Sequence, residues 1–237
     1  MRYIISGVAF SGNKGASGMA EALIQNLSRL DPEAFFSVFS YYPAADRLQL
    51  CYANAEIIDG SPKRVVLLFF ASLWAAAGRL FGLTKARRAA GREMKAIAAA
   101  DAWLDASGIS FVDGREKFLI FNILSILPAL ALDVPVVKVA QAMGPFRNPV
   151  NRLAARIVLP RLARIIARGA TTAGYLAELK LTNVGRCSDV AFSLTPGPED
   201  AARIAGYLPP PGSVVIGFSP SQVVWKLCEK RGVDYLG

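Results

Sequence analysis

The 237-residue sequence contains no histidine. No histidine metal site, imidazole acid–base catalyst or histidine-based triad can be assembled from its residues. Cysteine is scarce too. Cys51, Cys187 and Cys228 are odd in number and far apart, with no C-x-x-C pair. That pattern predicts reduced, mostly buried thiols in a cytosolic protein. Charged residues make up only 19% against 53% hydrophobic, which excludes a disordered chain. The length suits one large α/β core, or one domain with part of another. Standard phosphate motifs are missing. In Gly7-x-x-x-x-Gly12-Asn13-Lys14 the lysine comes one place late and no Ser or Thr follows it, so the P-loop fails. Gly12-x-x-Gly15-x-x-Gly18 also misses the dinucleotide fingerprint. There is no internal repeat and no low-complexity tract.

What is present is positive charge, +9 in total. It predicts anionic partners: phosphorylated metabolites, anionic lipid or nucleic acid. Aromatic residues do not interleave with the basic ones and no zinc-finger spacing appears, so nucleic acid is not expected. Arg2 enters an apolar strand pattern directly, so no leader peptide is expected and the chain should stay in the cytoplasm.

Strand and helix patterns alternate along the chain. Tyr3 to Phe10 reads as a buried parallel strand that breaks into the loop Ser11 to Gly15. A helix with Met19, Leu23, Leu27 and Leu30 at helical spacing follows, then strands at Ala34 to Tyr42 and Ala55 to Ile58. Further segments read as a helix from Lys85 to Ala100, a strand from Ala102 to Ala106, a loop from Ser107 to Lys117 and a helix from Phe118 to Leu132. Pro128 should end or kink that last helix. Pro135 to Ala140 reads as a strand, Pro149 to Arg168 as a long basic helix bent near Pro160, Ala170 to Thr172 as a short strand, and Asp189 to Phe192 as a strand end. The order predicts a Rossmann-like, doubly wound parallel α/β sheet.

Thr195-Pro196-Gly197-Pro198 and Leu208-Pro209-Pro210-Pro211-Gly212 are the strongest linker signals. They predict a first domain over residues 1–195, a linker over 196–212, and over 213–237 the strand Val214 to Phe218 and a helix that begin an incomplete second domain. The apolar run Val65 to Gly78, with Lys63, Arg64, Arg79, Lys85, Arg87 and Arg88 around it, falls short of the roughly 20 residues that span a bilayer. It reads either as a covered core helix or as a helix lying on an anionic membrane face.

Three loops follow strands and so fall at the edge where open α/β sheets bind ligands. In the first, Gly12, Asn13, Lys14 and Gly15 precede a helix whose free N–H groups could receive an anion, unless the glycines only make a tight turn. In the second, Ser107 and Gly108 lead to Asp113, which could accept sugar hydroxyls or cap the next helix. The third holds Gln141 and Gly144. The arginines of the basic helix, Arg168 among them, read as a solvated face or as phosphate contacts. Asp101 and Asp105 stand at opposite ends of a strand and do not read as a catalytic pair.

Together these segments resemble the polysaccharide pyruvyl transferase family. The resemblance runs through Gly12-Asn13-Lys14-Gly15-Ala16, Ser107-Gly108-Ile109-Ser110-Phe111-Val112-Asp113 and Gln141-Ala142-Met143-Gly144-Pro145-Phe146. It continues through Arg168-Gly169-Ala170-Thr171-Thr172-Ala173-Gly174-Tyr175-Leu176 to Asp189-Val190-Ala191-Phe192-Ser193-Leu194. Ser107 stands where the family has a glycine, Gly169 where it has aspartate, and Thr172 where it has serine.

The resemblance implies the first half of a B-type glycosyltransferase-like architecture of two Rossmann-like domains. It implies transfer of pyruvate from phosphoenolpyruvate to a sugar of a cell-surface polysaccharide or its lipid-linked precursor, with no cofactor and no metal. The substrate-binding residues it suggests are Gly12, Asn13, Lys14, Gly15, Ser107, Gly108, Asp113, Gln141, Gly144 and Arg168. The family's donor-site candidates, a histidine among them, lie in the second domain, so the chain alone is expected to be inactive. The alternatives are a B-type glycosyltransferase and a degenerate, non-catalytic sugar-binding domain.

Overall fold

Ile4 and Ile5 point to opposite faces of one strand, and each meets a different hydrophobic core. That strand, β1 (Arg2–Ser6), pairs in parallel with β2 (Phe35–Ser40) on one side and β4 (Ala102–Asp105) on the other. The computed structural model describes residues 1–84, 89, 91–210, 212–216 and 221–234, without the side chains of 198–201 and 222–223. The chain divides into two units, Met1–Thr195 and Pro196–Gly237.

In the first unit an eight-stranded sheet runs in the order β3-β2-β1-β4-β6-β7-β8, and its described pairings are parallel. Here β3 is Ala55–Asp59, β6 Val136–Gly144, β7 Arg164–Arg168 and β8 Val184–Cys187. A further strand, β5 (Ile109–Val112), pairs with the far end of β6, so β4 and β5 lie beside β6 as one strand line broken at residues 106–108. On one face Ile5, Phe36 and Val38 pack with Met19, Leu23 and Ile24 of α1 (Lys14–Leu30). The other face carries α3 (Pro62–Leu80), α4 (Gly91–Ala98), α5 (Leu119–Leu124), α6 (Leu127–Ala131), α7 (Pro149–Val158) and α8 (Gly169–Ala177). Leu68, Met94, Ile97, Ala155 and Leu176 from these helices close over Ile4, Phe39 and Trp103. A short helix, α2 (Pro43–Gln49), joins β2 to β3.

Several expected elements differ, each for a local reason. The long basic helix stops at Val158. Pro160 lacks an N–H and sits in a 3-10 turn, Leu159–Arg161, and Arg164–Arg168 is strand β7 with Ile165 and Ala167 buried. Ala170 to Thr172 is the first turn of α8, not a strand. The expected loop at 107–117 contains β5, because Ser110 and Phe111 are buried against β6. The helix expected from Phe118 to Leu132 is split into α5 and α6, with Pro128 in the first turn of α6. The strand end at Asp189 is a 3-10 turn, Val190–Ser193, which packs on α1. The thiols are not mostly buried: Cys51, in the loop after α2, and Cys187, at the end of edge strand β8, are exposed.

The apolar run forms helix α3, whose surface is split. Val65, Leu68, Ser72 and Ala75 are buried, while Phe70 and Trp74 are 61% and 59% exposed. Among the described residues no helix is long and apolar enough to cross a membrane. Lys85, Arg87 and Arg88 lie outside the described residues.

The second unit contains α9 (Pro198–Ala205) and α10 (Gln222–Lys230), the latter capped by the Ser221 hydroxyl on the Val224 N–H at 3.3 Å. Val214, Val215 and Ile216 are exposed and form no strand, since no partner strand is described beside them. The rest of that expected strand, Gly217 and Phe218, lies outside the described residues. Amides of residues 214–216 should therefore exchange with solvent deuterium far faster than those of Ile4 and Ile5. Equal protection, measured by mass spectrometry of peptides, would show that this segment has a core of its own.

Candidate functional site

The strand order reverses direction between β1 and β4. At such a switch point two loops leave the carboxyl edge in opposite directions and open a crevice. Gly7 (φ +77°) leaves β1 and Ser107 leaves β4, and a Cβ on Gly7 would lie 2.5 Å from the Ser107 nitrogen. Only glycine permits that approach. Above it is a cavity of about 160 Å³ lined by Gly7, Tyr41, Ser107, Ser110, Phe111, Arg115, Phe118, Phe121 and Asn122, among others. Larger hollows lie elsewhere. One of about 520 Å³ sits at the amino edge near Pro135 and Ala163, where doubly wound sheets do not bind. Another, of about 420 Å³, sits beside β8 near Cys187 and Asp189. The small cavity combines the switch point with convergent hydroxyl, amide and guanidinium groups, so it is the candidate site.

A buried polar network holds three of the lining residues, Ser107, Ser110 and Phe111. Lys138 and Asp105, 0% and 1% exposed, form an ion pair at 2.5 Å. The other Asp105 oxygen accepts the Ser107 N–H at 3.0 Å, and the Lys138 ammonium lies 5.4 Å from the centre of the Phe111 ring. Gln141 staples the break between β4 and β5. Its amide nitrogen donates to the Asp105 carbonyl at 2.6 Å and its oxygen accepts the Ser110 hydroxyl. Tyr41 packs on Phe121, ring centres 5.4 Å apart. Burial, with the Asp105 charge added, pushes the Tyr41 phenol well above its ordinary range, so at neutral pH it is a hydrogen-bond donor. Arg115 and Lys117 both stand over the Phe118 ring, at 5.2 Å and 5.0 Å.

The residues anticipated from sequence take several places. Ser107 lines the cavity. Gly108 lies beside it, with the Arg168 guanidinium 3.8 Å from where its Cβ would be, and Arg168 pairs with Asp189 at 2.7 Å. Gln141 is fully buried and spends both ends of its amide within the protein, so its side chain faces no ligand. Asp113 does not cap the next helix. It accepts the N–H groups of Arg147 at 2.6 Å and Asn148 at 3.1 Å, and the Asn151 amide at 2.7 Å, which ties β5 to the start of α7. Gly144 (φ +95°) lets Tyr175 of α8 close on β6, since a Cβ would fall 2.6 Å from that ring. In the first loop Gly12 has φ +80°, and the Asn13 side chain caps α1 by accepting from Gly15 at 3.0 Å and Ala16 at 3.3 Å. Lys14 and Gly15 are exposed there. The loop is anchored by Asp46 of α2, which accepts the Ser11 N–H at 2.7 Å and the Ser11 hydroxyl.

Strand-end position alone does not point to Tyr41, Arg115, Asn122, Lys138 or Asp46. Lys138 carried a signal: a lysine inside Val136-Val137-Lys138-Val139-Ala140 would be buried, and a buried ammonium requires a carboxylate partner.

Asp46 and Asp113 both titrate below the ordinary 3.8. Burial pushes each up, but hydrogen bonds outweigh it, from Ser11 to Asp46 and from Asn151, Asn148 and Arg147 to Asp113. A carboxyl lowered in the folded state adds stability that is present above its unfolded pKa and lost as pH falls through the folded one. Urea midpoints should therefore hold steady at neutral pH and fall below about pH 4. Asp113→Asn should lower the neutral-pH midpoint and flatten the acid slope. An unchanged slope would show that Asp113 is not among the groups responsible.

Fold and site together define a Rossmann-like α/β protein with a small hydroxyl- and arginine-lined pocket at its switch point. The chain belongs to the polysaccharide pyruvyl transferase family, whose model matches residues 13–224. Searches of curated proteins and of solved structures gave no match.

Proposed function

We propose that the protein serves transfer of a pyruvyl group from phosphoenolpyruvate to a sugar, and that the switch-point pocket receives the saccharide acceptor. Supporting this is the pairing of rings with hydrogen-bonding groups in one cavity. A sugar presents apolar C–H faces and hydroxyl edges, and Phe111, Phe118 and Phe121 stand beside Ser107, Tyr41 and Asn122. Arg115 favours an acceptor carrying a carboxylate or phosphate. The transfer joins two sugar hydroxyls to the pyruvyl carbon as a cyclic ketal and releases inorganic phosphate. It needs a proton donor to the enol carbon, a base for the hydroxyls, and cations for carboxylate and phosphate. Arg115, Arg168 and Lys14 are cations on the carboxyl edge or its loops. The reading places the protein in the cytoplasm at the inner membrane face, on a cell-surface polysaccharide or its lipid-linked precursor. It treats residues 1–195 as the acceptor-side domain of a two-domain, B-type glycosyltransferase-like enzyme.

The absence of histidine and the glycine at position 169 favour a second reading, a saccharide-binding domain without catalysis. One experiment separates them: incubate the chain with phosphoenolpyruvate and an acidic oligosaccharide, and follow both phosphate release and saccharide binding. Acceptor-dependent phosphate release supports the transferase. Saccharide binding without release that phosphoenolpyruvate strengthens supports the acceptor-side domain of a transferase, and binding indifferent to phosphoenolpyruvate supports the second reading. Neither binding nor release would overturn both.

A further inference from the structure

The surface of α3 that faces away from the sheet is apolar along its length. Val66, Leu67, Phe70, Leu73 and Trp74 are each about half exposed or more, and they fall at i, i+1, i+4, i+7 and i+8. The opposite stripe, Val65, Leu68, Ser72 and Ala75, is the one the core uses. The helix therefore carries a second apolar face that the first unit leaves uncovered. Phe81, just past its end, is 82% exposed, and Ile120 of α5, a helix that packs on α3, is 70% exposed.

Charge decides what covers this face. Between Asp59 and Glu93 the sequence has no acidic residue and seven basic ones, Lys63, Arg64, Arg79, Lys85, Arg87, Arg88 and Arg92. Arg64 pairs with Asp59 and Glu93, Arg79 with Asp133 and Arg92 with Glu56, but these arginine side chains stay exposed, and exposed pairs are weak enough to yield to headgroup phosphates. Lys63 and Arg64 open α3 and Arg79 closes it. A second copy of the chain seated on this face would bring like charges together, and the carboxylates beside them, Asp59, Glu93 and Asp133, already hold this copy's own Arg64 and Arg79. A bilayer containing anionic lipid meets both requirements: acyl chains for the apolar stripe and headgroup phosphates for the cations at its ends. Trp74 adds a side chain that favours the interface between the two.

We propose that α3 lies in the plane of an anionic membrane surface, with Val66, Leu67, Phe70, Leu73, Trp74 and Phe81 entering the acyl boundary. Phe118 borders the cavity and is 42% exposed at the start of α5, the helix that packs on α3. The docked protein would hold its pocket beside the headgroup layer. The proposal names the membrane partner of the function proposed above and rests on that reading for its purpose. Its test uses neither phosphoenolpyruvate nor saccharide, so either can fail alone.

The test is flotation of the purified chain with vesicles of phosphatidylethanolamine and phosphatidylglycerol, against vesicles of phosphatidylcholine alone. Binding is expected only on the anionic vesicles, and it should drop several-fold as salt shortens the screening length from ~8 Å to ~3 Å. Phe70→Glu with Trp74→Glu, both at exposed positions, should weaken binding at least tenfold, in line with the cost of placing charge at the acyl boundary. Unchanged circular dichroism and urea midpoint keep that result free of misfolding. Lys63→Glu gives a second, charge-only variant, which should weaken binding on anionic vesicles. Three results would overturn the proposal: no flotation on anionic vesicles at low salt, equal flotation on neutral ones, or a dimer in solution that the Phe70/Trp74 variant dissociates while neither form floats.

Discussion

Lys138→Met should destabilise the first unit by about 3–5 kcal/mol, because it leaves the Asp105 carboxylate charged, buried and without its ammonium partner. The pair is 0% and 1% exposed, so water cannot take the lost partner's place. The methionine fills much the same volume, so packing contributes little of the loss. Asp105→Asn alone should be similarly costly, since it strands the ammonium. Replacing both, Asp105→Leu with Lys138→Met, should recover part of the loss, because a buried pair is stabilising mainly relative to its own half-broken forms. The double variant will not recover all of it, as Asp105 also holds the Ser107 N–H at 3.0 Å. Urea unfolding followed by tryptophan fluorescence measures each. A loss below about 1 kcal/mol for Lys138→Met, the range of exposed ion pairs, would mean the pair is solvated.

Gly7→Ala should be the other severe change, and it acts on stability and site together. The new Cβ would fall 2.1 Å from the Ser107 hydroxyl and 2.5 Å from its backbone nitrogen. A side-chain tip could rotate away, but the backbone nitrogen cannot, because it is held by Asp105. The residue also has φ +77°, where alanine is strained. Overpacking and strain together should cost about 2–4 kcal/mol. The loops of β1 and β4 must then separate, which deforms the cavity floor. Saccharide binding should fall about tenfold or more in whatever protein remains folded, in keeping with the cost of misplacing contact groups. Gly12→Ala has open space for its Cβ despite φ +80°, so it should show strain without loss of the site. Equal binding by Gly7→Ala and the parent would show that the cavity does not hold the ligand.

The doubly wound sheet was legible because its signals are local. Apolar strands such as Arg2–Ser6 alternate with an amphipathic helix such as Lys14–Leu30, and period and length identify both. Strand β7 was hidden because Arg164 and Arg168 at its ends continued the basic spacing of α7, and only the sheet reveals that Ile165 and Ala167 face inward. For the site, the rule that ligands gather at strand ends led to Ser107 and Gly108. It could not show that Gln141 would be consumed as a staple or Asp113 as an anchor, because those roles depend on partners 31 to 38 residues away. Tyr41 and Arg115 were hidden similarly. The side chains that build the pocket come from just past β2 and β4, from β5, and from α5 and the turn before it, which only the strand order brings together.

The most direct test of the account is whether the switch-point pocket binds sugar. Amide ¹H–¹⁵N spectra of the chain, titrated with an acidic oligosaccharide, should shift and saturate at Ser107, Ser110, Phe111 and Asn122. Arg115→Ala should weaken that saturation about tenfold, as expected for one charge-assisted contact. Shifts confined to residues outside this pocket, or a titration that Arg115→Ala leaves unchanged, would contradict it.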